Sequence, residues 1–382
     1  MNIRAASSKL KGILFPVVLA LTAWICWPLP LYFTTGIVYS HRPEAGGPIR
    51  MFAGDHLQLM YYFSLVRDFI TGKAPWFTNL YEFNLGSDAA TFAPDFYYAP
   101  FSVIYSLGTL ISTRAFGWNL VTLCSLLFGV WGTWKLMKRF QAPLSITFAA
   151  TLTGSLLAYR WANILHGSPT GFSMAYVPWI LWGLDVSIQD RRMRGGWIAG
   201  ICLLFAAWGD THTFFFSALL VPCWCLFSFL RQPAPGITKK EIISLIRALS
   251  GFIVMGLLVV GQVLWIRQQL KGSTMAEGRT LQEVMTHSPL PGGLWSLNPD
   301  HPNNHIYLGY FAVALILIGL VFAFLRFRQH QNGDETRHLL LHGLLFIGFL
   351  VMIALSIGPR LYPANPFWWE RFCRMFTPYA MI

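Results

Sequence analysis

Two short stretches pair an acid with an imidazole in a chain where acids are scarce. "GDHLQ" carries Asp55 and His56, and "GDTHT" carries Asp210 and His212. Between them, "YRWANILHGSPTG" carries Arg160 and His166. A carboxylate with an imidazole nearby can draw a proton from a hydroxyl, and a guanidinium grips a phosphate through paired N–H bonds. An Arg inside an apolar run is costly unless it is paired, and by default it points to a functional site. These residue types imply a hydroxyl acceptor meeting a phosphate-bearing lipid. Asp55 is the candidate base, and His56, Arg160, His166, Asp210 and His212 are candidate substrate-binding groups. Arg267 joins them from a charge-rich stretch further along.

Each acid also has a plainer reading. Asp55 opens "DHLQLMYYFSLVRDFITG", which has helical spacing and suits an N-cap. Leu59, Phe63, Val66 and Ile70 share one stripe of that helix, while Asp55, Gln58 and Tyr62 share another. An interfacial helix with its apolar face in lipid would need no chemistry. Asp210 can equally cap the helix that follows it. Asp185 lies near the end of an apolar run and reads as a helix-end residue. His301 and His305 are four apart, but Pro302 argues against a helix there, so no metal pair is read.

Composition says what must position these groups. The chain is 55% hydrophobic and only 12% charged, with mean hydropathy +0.50. Its repeated apolar runs approach the ~20 residues that cross a bilayer. This is the pattern of an all-α polytopic membrane protein. The net charge of +12 does not argue for nucleic acid, because Lys and Arg gather in short clusters between apolar runs, as cytoplasmic loops do. The six Cys match no zinc spacing and read as small packing residues.

Placing the basic clusters (Arg4/Lys9/Lys11, Lys135/Lys138/Arg139, Arg191/Arg192/Arg194, Arg231/Lys239/Lys240 and Arg326/Arg328/Arg337) in the cytoplasm gives about nine spans. The amino terminus is cytoplasmic and its apolar stretch an uncleaved first span. Residues 143–163 and 170–187 form one hairpin, 196–209 and 213–230 another, and 242–266 leads outward. Residues 40–95 and 267–305 are the large outer loops. Parity makes 96–112 an interfacial or re-entrant segment that does not cross. Asp55, Arg160, His166, Asp210 and His212 then share the outer level.

The order of these features resembles bacterial polytopic glycosyltransferases of the GT-C fold, including aminoarabinose transferases and YfhO-like membrane proteins. "GDHLQ", "PWFTNLYEFNLG", "LHGSPTGFSMAYVPWILWGLD", "HIYLGYFAVALILIGL" and "SIGPRLY" carry the resemblance. It implies one GT-C-like helical domain in a bacterial inner membrane, moving a sugar from a polyprenyl-phosphate donor to a glycan, lipid or protein acceptor outside. Asp55 matches the outer-loop acid of that group, the base in an inverting displacement. Arg160 is then the first candidate for the lipid phosphate, with Arg267 or His212 behind it. Some relatives use a second acid and a divalent metal and others neither, which leaves a metal at Asp210 open and no cofactor assigned. Relatives continue with further spans and an outer soluble domain, and that domain is expected to be absent here. A lipid-linked-sugar flippase and a non-catalytic membrane subunit are the alternatives. The grouping of ionisable residues at one face favours transfer over transport.

Overall fold

The computed structural model describes residues 3–37, 55–76, 97–231, 238–269 and 333–357, with scattered positions from 281 to 325 and residue 360. All regular structure among the described residues is helical. Three helices, Arg114–Phe140, Thr211–Leu230 and Lys239–Ile266, are long and apolar enough to cross a membrane. With the composition, they mark a membrane protein. Most of the expected outer loops lie outside the described residues.

The chain divides into two compact units, residues 1–222 with 236–262, and residues 223–235 with 263–382. The first unit holds every candidate residue except Arg267. It begins with α1 (Ile3–Ile25) and α2 (His56–Ile70), followed by α3 (Phe101–Ile111) and α4 (Arg114–Met137). Only Ser112 and Thr113 join α3 to α4, and the Thr113 hydroxyl caps α4 by accepting from Phe116 N–H at 3.1 Å. The short link forces an antiparallel hairpin. Its helices meet at glycines: a methyl on Gly108 would fall 2.6 Å from the Gly117 Cα. With 11 residues, α3 is about 16 Å long, half a bilayer core. That length fits the non-crossing segment expected at 96–112.

The expected single span at 143–163 is instead broken. Helix α5 (Leu144–Ser155) ends at an extended Leu157, and α6 (Ala158–Leu165), α7 (Pro169–Ser173) and α8 (Val177–Asp190) follow. Thr151 and Ser155 donate their hydroxyls to the carbonyls of Thr147 and Thr151, both at 2.7 Å. Such back-bonding weakens and bends helices, and here it precedes the break. The break turns α6 so that Arg160, Trp161 and Ile164 are buried while His166 is exposed.

Helix α9 (Met193–Gly209) folds back on α8 through a two-residue turn. A methyl on Gly183 would lie 2.5 Å from the Gly195 carbonyl oxygen, and one on Gly195 2.4 Å from that of Gly183. Helix α11 (Lys239–Gln269) packs beside α9 in the same direction. Gly196 sits against Ala248 and Gly200 against Gly251, and the Trp208 indole N–H donates to Gln262 at 2.6 Å. Small residues four apart let two backbones approach closely, the usual way helices associate in lipid. Helix α10 (Thr211–Leu230) lies between α9 and α11 in the chain.

At the far end of α4, Arg139 donates to Asp185 at 2.6 Å and, through both terminal nitrogens, to Asp190 at 2.8 and 2.9 Å. This ties the ends of α4 and α8 together. In the second unit, α12 (Gly333–Ile357) has 25 residues, the Trp224 and Phe227 rings lie 5.2 Å apart, and Arg360 donates to the Met285 carbonyl at 2.7 Å.

Candidate functional site

The site is built around α6 and the turn that follows it. Gly167 holds φ at +72°, and its bare Cα faces His56, where a methyl would lie 2.6 Å from the ring. The Asp55 N–H donates to the His166 carbonyl at 2.8 Å. Helix α2 is therefore docked by its first residues onto "HGSP", a contact between segments more than 100 residues apart.

His56 starts the inward stripe of α2, in register with Leu59, Phe63 and Val66, all buried. It packs on Trp118 with ring centroids 5.4 Å apart. Phe63 meets Tyr105 and Trp118, and Trp118 meets Phe172 edge-on at 5.5 Å. The apolar face of α2 thus rests on protein, not on lipid as an interfacial helix would. Ile70, expected on the same stripe, is exposed. Around this cluster the Tyr105 hydroxyl, the Trp118 indole N–H and the Ser102 and Ser173 hydroxyls are buried and have no hydrogen-bond partner among the described residues.

Asp55 occupies the N-cap position of α2, but its side chain makes no cap bond and is exposed. Every other described carboxylate of the first unit is engaged. Asp68 pairs with Arg67, Asp185 and Asp190 with Arg139, and Glu241 closes a capping box with Thr238. Asp210 accepts from the Thr213 N–H at 2.8 Å and the Thr213 hydroxyl at 2.6 Å. Among the described residues of this unit, Asp55 alone keeps its carboxylate uncommitted.

Asp210 is the N-cap of α10, as its plainer reading had it, and it is 5% exposed. His212 places Nδ1 3.4 Å from it. Burial pushes the Asp210 carboxyl up, but hydrogen bonds from His212 and Thr213, with the His212 charge, outweigh burial and hold it below the ordinary carboxylate value. Tyr159 lies within electrostatic reach of Asp210. Tyr159, Asn163 and His166 fall on one face of α6, at i, i+4 and i+7. That face runs roughly 10 Å, from the Asp210 neighbourhood to the residue that holds Asp55. His166 Nδ1 lies 2.6 Å from the Ala162 carbonyl. A carbonyl only accepts, so Nδ1 carries the proton and Nε2 of the neutral ring is an acceptor.

Arg160 turns the other way. Its Nε donates to the Gly171 carbonyl at 3.1 Å, and one terminal nitrogen donates to the Ser125 carbonyl and hydroxyl at 2.9 and 3.0 Å. No carboxylate pairs with it among the described residues. The guanidinium lies against Gly129, where a methyl would come within 2.7 Å. Arg160 therefore fastens the 166–171 turn to α4. The Arg267 side chain lies outside the described residues.

Sequence reasoning did not anticipate Ser125, Thr213 or Tyr159, nor the pairing of Asp185. The spacing of Asp210 and Thr213, a cap followed by a hydroxyl three residues on, was a legible signal. Among the described residues no group of three His, Cys, Asp or Glu is placed to hold a metal. Comparison of the chain with protein-family models, curated proteins and solved structures finds no match.

Proposed function

We propose that this is an inverting membrane glycosyltransferase that uses a polyprenyl-phosphate-linked sugar, built on a GT-C-like bundle of about nine spans with its site outside a bacterial inner membrane. The observation that supports it most is the exposed Asp55 carboxylate, unengaged among the described residues and fixed by its own backbone to the turn carrying His166. Asp55 accepts the proton of the acceptor hydroxyl as that oxygen bonds to the anomeric carbon. The bond from the anomeric carbon to the phosphate oxygen breaks, and the lipid phosphate leaves with the electron pair. Arg160 is committed to Ser125 and Gly171, so the departing charge falls to the imidazole of His212, next to Asp210. His166, at the tip of the turn that holds the Asp55 backbone, passes the proton on to solvent. Glycan, lipid and protein hydroxyls are all acceptors compatible with this chemistry.

The test uses the purified full chain in detergent with a fluorescent polyprenyl-phosphate sugar and a mixed set of hydroxyl acceptors. Release of polyprenyl phosphate together with a glycosylated product of inverted anomeric configuration is expected. Movement of the intact donor across a proteoliposome membrane, with no bond cleaved, would replace transfer with transport.

A further inference from the structure

The end of the first unit opposite Asp55 carries a second feature. Arg192 and Arg194 flank the start of α9, and Lys239 and Lys240 start α11. All four are exposed. Two observations bring the stretches together. Arg191 is within electrostatic reach of Glu241, and the close Gly196–Ala248 and Gly200–Gly251 contacts hold α9 and α11 parallel, with their starts at the same end. The described carboxylates at this end, Asp185, Asp190 and Glu241, are already bound to Arg139 or Thr238. Against these three carboxylates stand Arg139, Arg191 and the four exposed cations, so positive charge is in excess at this end.

Apolar side chains lead directly away from the cations. Met193, Trp197 and Ile201 recur every four residues along α9 and are exposed, as are Ile242, Ile243 and Ile246 on α11. A soluble anion would use the cations and ignore these stripes. An amphiphile with an anionic head and apolar tails would use both.

We infer that the paired starts of α9 and α11 form a binding site for an anionic phospholipid. The head-group phosphate sits between Arg192/Arg194 and Lys239/Lys240, and the acyl chains run along the Met193–Trp197–Ile201 and Ile242–Ile246 stripes. Basic pockets between helix ends recognise anionic head groups in this way. The site lies at the other end of α9 from Asp210 and does not depend on the glycosyl-transfer reading.

Native mass spectrometry of the purified full chain tests it, with phosphatidylglycerol, phosphatidylcholine or inorganic phosphate added. Phosphatidylglycerol is retained over phosphatidylcholine, and each charge removed lowers its retention roughly fivefold. R192Q/R194Q/K239Q/K240Q loses the preference. R192K/R194K keeps it, and so does K73Q, which changes an exposed lysine beyond the end of α2. Equal retention of the two lipids by the wild type would overturn the proposal, as would full retention by the quadruple variant. Displacement of phosphatidylglycerol by inorganic phosphate would overturn the lipid assignment. If the quadruple variant fails to fold, the wild-type lipid comparison and the two control variants decide.

Discussion

The first unit treats acids in opposite ways at its two ends. Where α4 and α8 finish, Asp185 is wholly buried and shares the Arg139 guanidinium with Asp190. Where α2 begins, Asp55 is exposed and its carboxylate has no partner among the described residues. An ionised acid in a low-dielectric interior must be neutralised, or it destabilises the fold by several kcal/mol. An acid left unpaired survives only where solvent or a ligand reaches it. The contrast separates a structural carboxylate from one available for chemistry, and a buried acid in an apolar helix is the weaker pointer to a site. Asp210 stands between them: it is buried like Asp185, yet its partners are the hydroxyl and N–H of Thr213 and the imidazole of His212.

The largest effect is expected at the paired end. Arg139→Ala removes the guanidinium that buried Asp185 shares with Asp190 and should cost roughly 3–5 kcal/mol, read as a drop in unfolding temperature in detergent. R139M/D185L, which removes both charges, should recover most of it. A single variant costing under about 1 kcal/mol would remove the clamp and with it the contrast. Next comes Thr213→Val, which takes a charge-assisted hydrogen bond from buried Asp210 and should cost roughly 1.5–3 kcal/mol. Because the folded Asp210 carboxyl titrates below its ordinary value, its contribution is present above about pH 4 and is lost as pH falls through the lower folded value. Thr213→Val should therefore flatten the acid-side loss of stability, and an unchanged pH profile would contradict the assignment. Gly167→Ala should cost roughly 1–2 kcal/mol from its left-handed backbone alone. It should also push the His56 ring outward, making that histidine reactive toward a carbethoxylating reagent.

Much of the helical layout was legible in the sequence, because it follows from composition and charge. The runs leading to α4, α10 and α11 are long and apolar, and the basic clusters at 135–139, 191–194 and 239–240 gather at one end of the unit. Parity led to the expectation that 96–112 stops short of crossing, and the helix there, α3, has 11 residues. The break between α5 and α6 was not legible, because "TLTGSLLAYR" keeps an apolar average while its hydroxyls and glycine weaken the helix locally. The inward turn of Arg160 depends on that break, so hydropathy alone could not show that the guanidinium would meet Ser125. His56 was named as a substrate-binding candidate beside Asp55, and its spacing to Leu59 and Phe63 carries what the fold shows, a ring packed on Trp118 in the aromatic core. Of the stretches that carry the resemblance, "PWFTNLYEFNLG" and "HIYLGYFAVALILIGL" lie mostly outside the described residues.

The central claim is tested most directly by Asp55→Asn, with polyprenyl phosphate release and unfolding temperature measured on the same purified samples. The account predicts release lost and stability changed by no more than about 0.5 kcal/mol, as for an exposed position without partners. Release at the wild-type rate, with the fold equally intact, would contradict it.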